Sequence, residues 1–176
     1  MLLTPELLAR LTDRDIAQIE YFVVHHTADP DQVQDIAEIA AEEIASQGFS
    51  TVGYHAVIWK TGEVQEGRPI GKVPAANLGL NTLSYAASLE GNFQPGSPGY
   101  SGEVPSAEAL AALVERIELV KSKCPNLKYL IGHRDVAAIA VRLEGGSLGD
   151  YATACPGDDL YSHLHDLRVA TGLGAP

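Results

Sequence analysis

The sequence predicts a single-domain α/β protein, on three observations. Short β-favouring runs alternate along the chain with segments whose apolar residues recur at helical spacing. With 176 residues, 45% hydrophobic and 20% charged, the chain can bury a core and is too apolar for disorder. Neither an internal repeat nor a linker-like stretch divides it, so residues 1–176 read as one domain.

The elements follow in order. Residues 4–20 read as a lead-in helix: Thr4 can cap it, Pro5 suits its first turn, and Leu7, Leu8 and Leu11 form a partial stripe. Tyr21-Phe22-Val23-Val24-His25-His26 then reads as a buried strand whose carboxyl end opens into a site. Alternation puts His25 on one face with Tyr21 and Val23, and His26 on the other with Phe22 and Val24. The two histidines therefore do different jobs. Asp29-Pro30-Asp31-Gln32 has the form of a helix start, and Val33, Ile36, Ile39, Ala40 and Ile44 recur at helical spacing up to Gly48. Glu38, Glu42 and Glu43 read as the solvated side of that helix.

Residues 52–59 and 63–66 form a hairpin about Thr61-Gly62. The stretch 67–81 is irregular but too apolar for a linker, and is expected to pack near the site. Ser84 to Leu89 is a further strand, and residues 94–104 a Gly/Pro/Ser loop. Ser106 caps a helix with Leu110, Leu113, Ile117 and Val120 on one face. Residues 127–131 make the last strand, running into Gly132-His133-Arg134-Asp135. Past Gly145, Gly146 and Gly149 come Cys155-Pro156-Gly157 and a helix from about Asp158 to Val169.

Charge excludes several partners. A net charge of −11 with only 12 Lys and Arg offers no clustered cations for phosphate, which argues against nucleic acid and anionic membrane surfaces. The apolar runs fall short of a membrane span. Met1-Leu2-Leu3-Thr4-Pro5-Glu6 lacks the basic-then-apolar form of a secretory signal, so synthesis in the cytoplasm is expected. There, Cys124 and Cys155 read as free thiols or metal ligands rather than a disulfide.

Strand and loop ends now present His25, His133 and Cys155. Two imidazoles and a thiolate suit Zn2+ with the fourth position left open, the arrangement of catalytic rather than structural sites. A zinc ion so held can activate water and polarise a carbonyl. The ligands follow no regular spacing, so the weight rests on their flanking patterns.

Val23-Val24-His25-His26-Thr27-Ala28, Gly53-Tyr54-His55, Glu66-Gly67-Arg68-Pro69, Gly132-His133-Arg134-Asp135 and Cys155-Pro156-Gly157 occur in a telling order. The set resembles the zinc N-acetylmuramoyl-L-alanine amidases, a family that includes phage lysozyme-type amidases and peptidoglycan recognition proteins. The resemblance spans roughly residues 20–170. It implies a central mixed β-sheet flanked by helices, with a zinc site in a groove at the sheet edge. The implied reaction cleaves the amide between the lactyl group of N-acetylmuramic acid and L-alanine of the stem peptide, with peptidoglycan or muropeptides as partner. A monomer is expected.

Carried over residue by residue, the resemblance makes His25, His133 and Cys155 the zinc ligands and Tyr54 the assisting tyrosine of the phage type. Thr153 matches a position, Lys or Thr in the family, that faces the reacting oxygen. Ser88 stands where some relatives carry a glutamate, and a serine cannot serve as that base, so the chain resembles the tyrosine-dependent type. Trp59, Asn77, Arg134 and His55 are candidates to line the substrate groove, with a structural role the alternative for His55. His26 and Asp135 are candidates to support the ligands from behind, with a helix cap the alternative for Asp135. Arg68 reads as a structural anchor.

Two departures from the family stand out. The segment 134–154 is longer than in many relatives and is expected to form a helix and loop beside the groove, while Ala75-Ala76-Asn77 replaces an Ala-His pair. Three readings of function follow: a phage or prophage lysin, a cytoplasmic amidase of muropeptide recycling, and a non-catalytic binding module. Non-catalytic relatives typically lose the metal cysteine, which Cys155 retains.

Overall fold

A computed structural model describes residues 3–28 and 35–176. The run that ends in two histidines forms β1 (Tyr21–His26), an interior strand of a five-stranded sheet. The other strands are β2 (Ala56–Ile58), β3 (Val64–Glu66), β4 (Ser84–Leu89) and β5 (Tyr129–Gly132), in the spatial order β3-β2-β4-β1-β5. β1 runs parallel to β4 and β5, β2 runs parallel to β4, and only the edge hairpin β2–β3 is antiparallel. The sheet is mixed, as the resemblance implies.

The helices are α1 (Pro5–Leu8), α2 (Ile36–Gln47), α3 (Ala107–Lys123), α4 (Val136–Glu144), α5 (Leu148–Tyr151), α6 (Asp158–Ser162) and α7 (Leu164–Thr171). Parallel neighbours need long crossovers, which α2 supplies between β1 and β2 and α3 between β4 and β5. On one face Phe22, Val24, Ile58, Tyr85 and Leu89 pack against Leu113, Ile117 and Val120 of α3 and Leu160, Leu164 and Leu167 of α6 and α7. On the other, Val23 and Ile131 meet Val136, Ile139 and Ala140 of α4, while Val57 and Trp59 meet Ile36, Ile39 and Ala40 of α2. Alternation along β1 thus splits the two cores, and with them the two histidines.

Capping chemistry sets the long helices. Ser106 Oγ accepts from the Ala109 amide at 3.1 Å to open α3. Asp35 accepts from the Ala37 and Glu38 amides at 2.8 and 3.0 Å to open α2, which Gly48 closes at φ +69°. The helix start expected at Asp29-Pro30-Asp31-Gln32 lies outside the described residues.

Several boundaries differ from expectation. The lead-in helix over 4–20 is confined to Pro5–Leu8 and a single 3-10 turn at Ile16–Gln18. Between them the chain runs alongside residues 71–73, with Arg14 N donating to Gly71 O and Val73 N to Thr12 O, both at 2.9 Å. The Arg14 guanidinium then donates to the carbonyls of Ile70, Asn81, Thr82 and Ser84. That staple outweighs a weak helical stripe. The strand expected over 52–59 is shorter because Arg68 N bonds Tyr54 O, and Ala75 N bonds Gly53 O, which draws Gly53 and Tyr54 away from the ladder. Ile44, expected in the apolar stripe of α2, is 47% exposed, and Glu43 takes the inward position instead.

One glycine joins the sheet to the loop that carries Cys155. A Cβ at Gly132 would lie 2.8 Å from both Pro156 Cδ and Tyr161 Cδ2. Gly132→Ala should therefore lose about 1–3 kcal/mol by overpacking, read as a lower urea midpoint with an unchanged slope.

Candidate functional site

Because β1, β4 and β5 are parallel, their carboxyl ends share one edge of the sheet, where open α/β sheets place ligands. His25 lies near the end of β1, across from Ser88 on β4. His133 follows β5 directly, in a 3-10 turn over His133–Asp135. Asp135 fixes that turn: it accepts from the Gly132 amide at 3.0 Å and from the Tyr161 hydroxyl at 2.7 Å. It acts as a turn cap and shapes His133 through the backbone.

The donor atoms of His25, His133 and Cys155 all lie within 4.8 Å of one another. Cys155 Sγ is 3.6 Å from His25 Nδ1, and the two imidazole centroids are 4.5 Å apart. Tetrahedral bonds of about 2.0–2.3 Å need ligands roughly 3.5 Å apart, so small side-chain movements would close the set on an ion. Burial holds His25 well below the ordinary histidine value and His133 at about 4, so both stay neutral donors at pH 7. Burial pushes the Cys155 thiol up to about 12, with the His26 amide and the Arg134 guanidinium acting the other way. Two neutral imidazoles and a thiol that a cation would deprotonate are a donor set that fits zinc.

Asn77 completes this arrangement from beneath. It is fully buried, and its Oδ1 lies 2.9 Å from His25 Nε2. Oδ1 can only accept, so Nε2 carries the proton and Nδ1 keeps its lone pair toward Cys155. Asn77 Nδ2 donates to Ser84 Oγ at 2.9 Å, and its own amide donates to Asn81 Oδ1 at 2.8 Å. The expected groove contact is corrected: Asn77 supports His25 from behind.

Three other groove candidates are also placed elsewhere, His55 in the structural role that was its alternative. His55 is buried on the opposite sheet face from Tyr54; Ala86 N donates to its Nδ1 at 3.0 Å, and Nε2 faces Lys72 O at 3.1 Å. Trp59 packs beneath α2 in the core. Arg134 braces the cysteine loop, with Nη1 on Asp158 Oδ1 at 2.6 Å, Nη2 on the Ala154 carbonyl, and its amide on Cys155 O at 2.8 Å. Trp59 and His55 are held in the core, and Arg134 is held against the cysteine loop by partners distant in the sequence.

His26 turns to the other face as its alternation requires. Its Nδ1 accepts from Phe93 N at 3.2 Å, tying β1 to the loop after β4. Tyr54 stands with its ring centroid 5.1 Å from that of His25. Thr153 Oγ1 accepts from Cys155 N at 3.2 Å.

Tyr54 and His133 form the common wall of two cavities. One, of about 480 Å³, runs under α2 and is lined by Ile39, Glu43, Phe49, Ala75, Leu78 and Asn81. The other, of about 400 Å³, is lined by Asn92, Gln94, Ser97, Thr153 and Cys155. Sequence reasoning missed Glu43, Asn92, Gln94 and Ser97. A signal existed for Glu43, since its spacing from Ile36, Ile39 and Ala40 puts it on their helix face. The loop residues carried none.

Fold and donor set together define an α/β protein with a three-ligand candidate metal centre at the sheet edge. A family model described as N-acetylmuramoyl-L-alanine amidase matches residues 15–158, and the chain belongs to that family. It is 28% identical over 155 residues to an N-acetylmuramoyl-L-alanine amidase of Sus scrofa, covering 82% of this chain but 22% of that protein. Peptidoglycan-recognition protein SD of Drosophila simulans is 28% identical over 146 residues, covering 80% of this chain and 68% of that one. Among solved structures, the N-acetylmuramoyl-L-alanine amidase LysC from Clostridium intestinale URNW superposes with a TM-score of 0.71 at 23% identity, covering 93% of each chain. Among the described residues no helix is long and apolar enough to cross a membrane.

Two measurements probe the site's supports. Asn77→Ala should weaken zinc binding by about 10–100-fold in a chelator competition while the fold is kept. Glu43 has its carboxyl raised to about 7, first by burial, against the Gly53 amide and Arg68. A raised carboxyl stabilises the fold at low pH, and that contribution is lost as pH rises through the folded value. Thermal melts of Glu43→Gln should therefore gain on the wild type as pH rises from about 5 to about 8.

Proposed function

We propose that this chain is a zinc-dependent peptidoglycan amidase that cleaves the bond between the lactyl group of N-acetylmuramic acid and L-alanine of the stem peptide. The observation that carries the reading is the convergence of His25, His133 and Cys155 beneath a groove walled by Tyr54. Membership of the amidase family supports it, as does a cysteine in place among the ligands.

An amide is a poor electrophile, and bound zinc would supply the Lewis acid and the lowered water pKa that the reaction needs. The chain's own residues do the rest. Burial raises the Tyr54 phenol above its ordinary value, against a side-chain hydrogen bond with Ser88, so it stays protonated and would be a donor to a substrate oxygen in the groove. Thr153 Oγ1 accepts from the Cys155 amide, which leaves its O–H proton free to point at the same place. Asn77 holds His25 in the donor tautomer, and Arg134 keeps the cysteine loop closed on it. Between lysis and recycling, the phage-type Tyr54 favours a lysin.

Zinc content and digestion of purified peptidoglycan test this together. The native protein should hold about one zinc and release stem peptides with a free L-alanine amine, and Cys155→Ala should do neither. Tyr54→Phe should keep its zinc and lose about a hundredfold in kcat. Zinc binding without cleavage of wall or muropeptides would overturn the enzyme reading in favour of a binding module. Cleavage of small muropeptides alone would replace lysis with recycling.

A further inference from the structure

Tyr54 sits in a segment that the sheet does not hold. Residues 52–54 precede β2, and their backbone is held instead from two sides. On one side lies the irregular stretch after β3: Arg68 N donates to Tyr54 O at 2.9 Å, Ala75 N to Gly53 O at 3.0 Å, and Arg68 Nε to Val52 O at 2.7 Å. On the other side stands a single carboxylate. Glu43 Oε2, reaching across from α2, accepts from the Gly53 amide at 2.7 Å. Gly53 is squeezed between the two, since a Cβ there would lie 2.7 Å from Ala75 O and 3.3 Å from Glu43 Oε1. Glu43, Tyr54 and His133 line the same cavity.

We propose that Glu43 is a positioning residue for Tyr54, clamping the Gly53 amide so that the phenol is held in the groove wall beside His25. The role in turnover rests on the amidase reading; the clamp itself does not. Glu43 is the acceptor that meets the Gly53 amide, and releasing it frees the residue next to Tyr54 to move with the cavity.

The surroundings make this clamp sensitive to pH. Glu42 on the same helix repels the charge, Arg68 from the stretch after β3 attracts it, and Tyr54 and His133 complete the charged or titratable groups around the cavity. Burial dominates and brings the carboxyl to about 7. Above that value Glu43 is charged and grips the amide by a charge-assisted bond; below it the bond is an ordinary neutral one. Turnover should gain an acid limb near neutral pH from this group, beside the one that a zinc-bound water of lowered pKa would supply, in the same range in which its charge costs stability.

The test pairs the Gly53 amide resonance with the rate. In 15N-labelled wild type the Gly53 amide should titrate between about pH 5 and about pH 9, and in Glu43→Gln it should not. Glu43→Ala should shift the Tyr54 ring resonances and lower kcat about tenfold with KM nearly constant, and Glu43→Gln should flatten the acid limb of kcat. A Gly53 amide that does not titrate, or Tyr54 resonances unmoved by Glu43→Ala, overturns the proposal. So does an acid limb of kcat that is unchanged in Glu43→Gln. If the wild type binds zinc and does not cleave, the amidase reading is what has failed, and the resonances alone then decide the clamp.

Discussion

The parallel pairing of β1 with β4 and β5 is the constraint from which the site follows. Three parallel strands put three carboxyl ends on one edge, and a chain leaving such an edge must turn back through loops. Those loops carry His133, the stretch around Phe93 and, after α5, Cys155. Antiparallel pairing of β5 would send His133 to the far edge and separate it from His25 by the strand's length. The donor set therefore depends on topology before it depends on any side chain. Close packing then sets the distance, because Gly132 lets Pro156 and Tyr161 press against the end of β5.

A site of this kind buries polar groups, and each needs a partner. Ser84 and Asn81 satisfy Asn77, which satisfies His25. Asp135 satisfies the Gly132 amide, and Arg134 takes the Ala154 carbonyl. An unpaired buried hydrogen-bonding group costs about 1–3 kcal/mol, so these contacts are as necessary to the fold as to the site. The stretch 67–81 shows the same economy. It has no regular structure, yet Arg14 and Arg68 draw its carbonyls inward and so keep Asn77 beneath His25.

How much of this was legible follows from the range of each interaction. The parity of His25 and His26 was legible because strand alternation is local, and so were the Ser106 cap and the Thr61-Gly62 turn. The meeting of His25, His133 and Cys155 was legible through short flanking patterns and the family they resemble. What sequence spacing misplaced were residues whose partners lie far along the chain. Asn77 reached His25, and Arg134 reached Asp158 and Ala154, through contacts that no local period encodes. The lead-in helix failed for the same reason, since Arg14 is worth more bonded to four distant carbonyls than solvated on a short helix.

Glu43 belongs to a different class, because the signal was local and was overridden by a residue type. Helical spacing from Ile36 and Ile39 points it inward, while a glutamate among Glu38 and Glu42 suggests solvent. The spacing was right. A carboxylate on the inward face of an amphipathic helix is costly unless something meets it there. Here the Gly53 amide meets it, and the neighbouring residue is Tyr54. Ile44, one position further round, gives up its place in the core and stands 47% exposed. A fold optimised for burial alone would exchange the two. That it does not places a stability cost beside the groove, at the point where α2 meets the segment carrying Tyr54.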